Sequence, residues 1–339
     1  MTTKGKPGPR EILYSICPVG NASYIAASKG WLVEGLAAAG AAAVKLQTLP
    51  QDRWKVHFTY EDPALFREGG NIPPIWAKSR GAEPVLLGWT FLTWKQSILV
   101  RADSPLQSVE QLRHKRLGVT RSANALIDFW KATIERGFET ALMARGLIPA
   151  EVDFIEILVE QGRGHRETFA LEALKSGRVD AVYYGGTWVQ SLLDSGRVRS
   201  VFEFSADPSL IWPISNENPI VLTVSRKLAE EAPEVVVAYL KQIVKAAEWA
   251  RTNRAEVETI FAEQTSGTPA QVAAARPADF HLHLAPQTSG QGLLALESQK
   301  RFLLDHGYIE RDFALEKWLD SSFLNTAIDE LQRAQTTAV

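Results

Sequence analysis

Residues 11–30 read EILYSICPVGNASYIAASKG and contain the unit from which the fold is built. The letters EILYSI are β-prone, CPVGN is a tight loop, and apolar residues recur at helical spacing from Ala22 onward. Similar strand-like runs alternate with helical segments further along, at residues 97–100, 117–120, 155–159, 179–183 and 220–224. This alternation predicts βαβ units, and therefore an α/β fold of mainly parallel sheets flanked by helices.

Local patterns give further predictions. Apolar and polar residues alternate over residues 54–60, which predicts a second strand. A loop should follow it, marked by Pro63, Gly69, Gly70, Pro73 and Pro74. Two Ser/Thr-x-x-Gln capping boxes, at residues 108–111 and 268–271, predict helix starts. Long helices are expected at residues 125–145, 166–176, 233–252, 254–263, 293–305 and 323–333.

Length and composition exclude several classes of protein. At roughly 150 residues per domain, 339 residues suggest about two domains. The formal net charge is −2, so the whole chain gives no electrostatic reason to bind nucleic acid. No apolar run reaches the roughly 18 residues of a membrane span, and the apolar patch behind the basic N-terminus is too short for a signal peptide. We expect a cytoplasmic monomer that acts on a small molecule.

The chain has one cysteine, Cys17, which excludes an intrachain disulfide and a multi-thiolate zinc site. The only close histidine pair is His281 and His283 in FHLHL, whose side chains would share one face of a strand. Two ligands do not complete a metal site, so a packed or solvated pair is the better interpretation. The sequence predicts neither a metal nor a cofactor.

The segment VRADSP at residues 100–105, with LRHKRLGV at 112–119, resembles the crossover of the type II periplasmic binding protein fold. LKSGRVDA at residues 174–181 is similar to a strand entry in its sulfonate- and thiamine-precursor-binding branch. The resemblance implies one lobe from residues 1–98 and 220–339, and another from 99–219. The cleft between them would contain Cys17, where the following helix would favour a thiolate or a bound oxyanion.

Four residues of the first lobe could meet in that cleft: Cys17, His57, Arg67 and Gly70. Taken alone, the cysteine is ordinarily a small buried hydrophobe, the histidine a satisfied strand residue and the arginine a surface ion-pair partner. Together they form a chemical set. Imidazole tunes the proton of a thiol, guanidinium grips two oxygens of an anion, and a glycine N–H donates to an oxyanion.

Three stretches, YSICPVGNA, VHFTYEDPA and REGGNIPP, resemble the desulfinase family of dibenzothiophene desulfurisation. That resemblance implies an enzyme, a hydrolase of carbon–sulfur bonds that converts 2′-hydroxybiphenyl-2-sulfinate and water into 2-hydroxybiphenyl and sulfite without a cofactor. Catalytic roles fall on Cys17, His57 and Arg67. Substrate-binding roles fall on the matching residues Gly70, Phe58 and Tyr60. Trp188 stands just past a strand end, at a spacing consistent with a pocket wall.

Two mechanisms fit these residues: Cys17 attacks the sulfinate sulfur as a thiolate, or its thiol protonates the ring carbon that bears sulfur. The alternative function is a solute-binding protein that delivers a sulfonate-like anion to an importer. Such a protein ordinarily carries an export signal or a lipidated cysteine, which the sequence does not show. A role in thiamine-pyrimidine synthesis is disfavoured, because the metal-binding cysteine cluster of that relative is missing.

Overall fold

The computed structural model describes residues 10–159, 166–207, 210 and 215–337. Its strands are β1 (Arg10–Ile16), β2 (Ala41–Lys45), β3 (Leu65–Gly69), β4 (Pro84–Thr90), β5 (Gln96–Arg101), β6 (Arg116–Ser122), β7 (Asp153–Val159), β8 (Ala181–Gly185), β9 (Val198–Glu203) and β10 (Ile220–Ser225). Its α-helices are α1 (Ala22–Ser28), α2 (Trp31–Ala38), α3 (Val56–Thr59), α4 (Ile72–Ser79), α5 (Phe129–Met143), α6 (Arg166–Lys175), α7 (Val189–Asp194), α8 (Arg226–Glu231), α9 (Pro233–Ala250), α10 (Arg254–Thr265), α11 (Pro269–Ala274), α12 (Gly292–Asp305) and α13 (Ser322–Thr337).

Two five-stranded sheets form the framework. The first has the order β2-β1-β3-β10-β4, and the second has the order β7-β6-β8-β5-β9. In each sheet one strand, β1 or β6, runs parallel to both neighbours, while another, β10 or β5, runs antiparallel to both. The α/β class and the two-lobed organisation are therefore confirmed, and the sheets are mixed rather than mainly parallel.

The chain passes from the first sheet to the second after β4 and returns before β10. The predicted lobe boundary between residues 98 and 99 falls inside β5, whose first residue is Gln96. Strand β10 begins at Ile220, where the sequence places the second boundary. Helices α1, α2 and α9 pack together in the first lobe, and α5 and α6 pack against β6 in the second.

The predicted strand at residues 54–60 is wrong, because this segment is helical. A 3₁₀ turn, Gln51–Lys55, leads directly into α3. Val56 and Tyr60 are both buried, and their spacing of four residues puts them on one side of a helix. A pattern with period two contains this spacing as well, so the alternation could not separate the two structures.

The predicted loop across residues 63–74 is also wrong. It contains β3, the central strand of the first sheet, and the start of α4. All five residues of β3 are buried, including the charged Arg67 and Glu68. Pro73 and Pro74 stand in the first turn of α4, where the missing N–H groups break no helical hydrogen bond.

Of the two capping boxes, only that at Thr268 is confirmed, since Thr268 and Gln271 hydrogen-bond each other's backbone N–H groups. At Ser108 the helix is a short 3₁₀ turn without a side-chain cap, and Oε1 of Gln111 accepts from the N–H of Gln107 instead. FHLHL is likewise not a strand, because a 3₁₀ turn spans Phe280–Leu282. The ring of His283 there lies 3.0 Å from the carboxylate of Asp279.

A buried carboxyl group lies within the first sheet. Glu68 is 2% exposed and follows Arg67, so the two side chains leave opposite faces of β3. Burial raises the pKa of Glu68 to about 7, although hydrogen bonding to Ser23 and the charge of Arg67 act in the other direction. In the folded protein the carboxyl group of Glu68 is therefore protonated below neutral pH.

The substitution Glu68→Gln should remove a pH dependence of stability. The pKa rises from 4.5 to about 7 on folding, so this contribution is full below the unfolded value and is lost as the pH rises through about 7. In urea unfolding, the wild type should lose on the order of 1–3 kcal/mol more than Glu68→Gln between acidic and mildly alkaline pH. Parallel curves for the two proteins would contradict this assignment.

Candidate active site

Three buried side chains form a row across the first sheet. Ser15 of β1 stands beside Arg67 of β3, and Arg67 stands opposite Thr223 of β10. Their exposures are 0%, 1% and 0%, which is unusual for polar and charged residues in a central sheet. Cys17 follows β1 directly, so the thiol lies at the carboxyl ends of β1 and β3, where ligands of such sheets bind.

A chain of polar contacts runs from the thiol into the sheet. Sγ of Cys17 lies 3.5 Å from Nε2 of His57, and Nδ1 of His57 lies 2.8 Å from Oγ of Ser15. Gln47 donates to the same Oγ at 3.0 Å. Sequence reasoning missed Ser15 and Gln47, although Ser15 precedes Cys17 by two residues and so points to the same side of β1.

The hydroxyl of Ser15 determines in which direction a proton can pass between His57 and Cys17. If its hydroxyl donates to Nδ1, Nε2 of the neutral ring carries hydrogen and donates to sulfur. If the hydroxyl accepts from Nδ1–H, Nε2 is free to accept the thiol proton. The two tautomers therefore give opposite proton directions along one contact, and each suits one of the mechanisms set out above.

Arg67 is a buried cation that forms no ion pair with any of the residues that the structure describes. Its Nη1 donates to the carbonyl of Gly70 at 2.9 Å, and its Nε has no hydrogen-bond partner. Within the described residues no carboxylate forms an ion pair with its guanidinium. Burying a charge without an ion pair costs several kcal/mol, and an anion bound beside Arg67 would lower that cost.

Two glycines allow the thiol and the backbone to approach closely. A Cβ atom at Gly69 would lie 2.1 Å from Sγ of Cys17, and one at Gly70 would lie 2.1 Å from the side-chain nitrogen of Asn216. The N–H of Gly70 donates to the sulfur, and its carbonyl accepts from Arg67. Gly70 therefore stands between thiol and guanidinium, and its predicted role as a donor to a bound oxyanion stays a prediction.

The pKa values of the thiol and of the imidazole are both shifted toward the neutral form. Burial raises the pKa of Cys17; the charge of Arg67 and the Gly70 N–H oppose this, while Glu217 and Glu68 add to it. Burial and the Arg67 charge hold the pKa of His57 well below its ordinary value. Helix α1 begins only at Ala22, beyond the turn that carries Cys17, so burial rather than the helix sets the direction of the thiol's pKa.

The three predicted wall residues have different positions. The Phe58 ring packs edge-on against His57 at 4.9 Å and stacks on Phe129 of α5 at 6.3 Å, so it joins the two lobes beside the site. Tyr60 is buried, and its hydroxyl lies 2.6 Å from Thr223, which places it behind Arg67. Trp188 is 44% exposed before α7, and within the described chain it makes no contact with Cys17, His57 or Arg67.

A cavity with aromatic walls lies along the second lobe. Its walls come from α5, α6 and the ends of β6 and β8, with aromatic rings from Trp94, Trp130, Tyr183 and Tyr184. Glu217 also lines it, and the charge of Glu217 acts on Cys17. Trp94 and Trp130 are the two tryptophans among the cavity's described lining residues.

The described residues contain no group of three or more His, Cys, Asp or Glu side chains placed to hold a metal ion. Among the same residues, no helix combines the length and the apolar character needed to cross a membrane.

No protein-family model matches the chain. The 2′-hydroxybiphenyl-2-sulfinate desulfinase of Rhodococcus erythropolis is 28% identical over 94% of this chain and 93% of that protein. The chain is a relative of that desulfinase. A crystal structure of the C-to-S variant of the desulfurization enzyme DSZB, in complex with biphenyl-2-sulfinic acid, superposes with a TM-score of 0.77 and covers 95% of this chain and 99% of that one.

The resemblance stated from sequence is thus confirmed, and it extends to other proteins by fold alone. The periplasmic aliphatic sulphonate binding protein SsuA from Escherichia coli is 15% identical, with a TM-score of 0.68 and 92% of each chain covered. This likeness confirms the periplasmic-binding-protein-like architecture that the crossover segments predict.

The resting protonation state can be checked by alkylation of Cys17 with iodoacetamide. Because its pKa is raised and the thiolate is the nucleophile, the rate constant should climb through the alkaline range without a plateau near neutral pH. The profile of His57→Gln should be similar, since the neutral ring contributes no charge. A plateau below about pH 7 would instead reveal a thiolate–imidazolium pair.

Proposed function

We propose that the protein is a cysteine-dependent arylsulfinate desulfinase that hydrolyses 2′-hydroxybiphenyl-2-sulfinate to 2-hydroxybiphenyl and sulfite. The observation that carries this proposal is the contact of the Cys17 thiol with His57, beside the buried Arg67, which no described carboxylate pairs. The relatives named above support the substrate class, since they are named for this sulfinate and one was crystallised with biphenyl-2-sulfinic acid.

Arg67 and Gly70 would hold the sulfinate. A guanidinium fork matches two oxygens of an anion, and the N–H of Gly70 points at the same location, toward the sulfur of Cys17. The aryl rings would lie against the aromatic cavity wall, which excludes water from the reacting atoms. Binding of the anion would also supply the negative charge that Arg67 lacks within the described chain.

The reaction balances as arylsulfinate plus water giving arene plus hydrogensulfite. In the route that starts from the resting state, the Cys17 thiol gives its proton to the ring carbon that bears sulfur, and the carbon–sulfur bond breaks as sulfur dioxide leaves. Water then converts sulfur dioxide to hydrogensulfite, and the released proton returns to the thiolate. The neutral thiol supports this route, because no earlier proton transfer is required.

The nucleophilic route needs one more step. His57 first takes the thiol proton, the thiolate attacks the sulfinate sulfur, and the aryl group leaves with the proton from His57. Water then cleaves the sulfur–sulfur bond, which regenerates the thiol and releases hydrogensulfite. Mass spectrometry of enzyme quenched during turnover separates the routes, since only this one places a sulfur dioxide unit covalently on Cys17.

A solute-binding protein is the alternative, and it shares the fold. The polar chain from Cys17 through His57 to Ser15 argues against it, because binding an anion requires no tuned thiol proton. Incubation with 2′-hydroxybiphenyl-2-sulfinate separates the two functions. Repeated release of sulfite supports the enzyme, whereas stoichiometric binding without product supports the carrier.

Replacing the thiol should stop turnover. Cys17→Ser should lower the rate of sulfite release by about 10²–10⁴-fold, because a hydroxyl is a much weaker acid and nucleophile than a thiol. Sulfite is measured colorimetrically, and thermal unfolding should show that the variant stays folded. Full activity in Cys17→Ser would end the proposal.

Replacing the guanidinium should weaken substrate binding. Arg67→Lys keeps the charge but loses the planar fork, and we expect KM to rise by about 10–100-fold through the lost charge-assisted hydrogen bonds. Steady-state sulfite release across substrate concentrations provides KM, with thermal unfolding as the control for folding. An unchanged KM would remove Arg67 from the sulfinate site.

A further inference from the structure

The thiol sits on a tight turn, residues 17–20, that joins β1 to the segment before α1. The N–H of Val19 donates to the carbonyl of Cys17 at 2.8 Å, and Gly20 adopts a left-handed conformation with a φ of 71°. This turn lies beyond the strand ladder, so its remaining backbone groups need partners from elsewhere. Those partners come from the C-terminal half of the chain.

Gln264, near the end of α10, bonds both ends of the turn. Its Nε2 donates to the carbonyl of Cys17 at 2.9 Å, and its Oε1 accepts from the N–H of Gly20 at 2.8 Å. The side-chain amide thus donates one hydrogen bond and accepts another, as a peptide group of a neighbouring strand would do. Nη2 of Arg276 adds a third bond, to the carbonyl of Val19 at 2.9 Å.

The position of this turn sets the position of the sulfur. Sγ is seated so closely over Gly69 that a Cβ there would lie 2.1 Å away, and its contact with His57 is 3.5 Å long. A small displacement of the turn would therefore change both contacts. Reacting groups misplaced by about 1 Å can lose about 10²-fold in rate.

We propose that Gln264 is a positioning residue for the Cys17 thiol. It holds the turn from both ends and so keeps sulfur against Gly69 and within reach of His57. Its side chain touches backbone and no group of the reacting set, and it is not a wall of the aromatic cavity. The inference rests on the proposed function only for its kinetic consequence; the placement of the thiol is testable without a substrate.

Three variants test whether Gln264 positions the turn that carries Cys17. Gln264→Met keeps the length of the side chain and removes both hydrogen bonds. Gln264→Glu keeps an acceptor for Gly20 and, when protonated, can again donate to Cys17. The matched control is Gln242→Met on α9, which loses one bond to the carbonyl of Ala238 and does not touch the turn.

For Gln264→Met we expect kcat for sulfite release to fall by about 10–100-fold, with KM within about threefold of the wild type. The rate of Cys17 alkylation at a fixed alkaline pH should change several-fold, because the sulfur is displaced from its position against Gly69 and His57. Gln264→Glu should regain activity relative to wild type as the pH falls and its carboxyl group is protonated. Gln242→Met should match the wild type in all these measurements.

Wild-type kcat and alkylation in Gln264→Met would overturn the proposal, as would an equal loss in Gln242→Met. A Gln264→Glu variant whose activity relative to the wild type does not change with pH would also contradict the proposed role of Gln264. If Gln264→Met does not fold, Gln264→Glu carries the test alone. If the wild type releases no sulfite, the proposed function fails, and the alkylation rates still decide whether Gln264 places the thiol.

Discussion

The site depends on a positive charge buried in the middle of a sheet. Arg67 lies on the central strand with 1% exposure, and within the described chain its guanidinium bonds a backbone carbonyl rather than a carboxylate. The fold supplies the several kcal/mol that such a charge costs, through the apolar packing around β3 and β10. The charge adds to the effect of burial in lowering the pKa of His57, and it partly opposes the effect of burial on the pKa of the Cys17 thiol.

The reactive groups come from separate parts of the chain and are fixed by backbone contacts. Asn216, in the return from the second lobe, bonds the N–H groups of Asn71 and Ile72 through its carbonyl and its side chain. It fills the space beside Gly70 that a Cβ would need. Consequently the segment that carries Arg67 and Gly70 is held by the same crossover that connects the lobes.

Sequence patterns could predict the fold and the meeting of Cys17, His57, Arg67 and Gly70. Most core strands are apolar runs, and the cysteine, histidine and arginine types suggest a shared chemistry. The patterns failed at β3, because the buried charged residues Arg67 and Glu68 interrupt the apolar run that would predict a central strand. They also failed at Gln264, which lies 247 residues from Cys17 and resembles any helix-surface glutamine until the chain is folded.

The neutral resting thiol also affects durability. Peroxides and other oxidants attack thiolates far faster than thiols, and oxidation beyond the sulfenic acid is irreversible in most proteins. With a single cysteine, the chain has no second thiol that could trap a sulfenic acid as an internal disulfide. The raised pKa of Cys17 therefore protects the sulfur, because it lowers the fraction of the reactive thiolate.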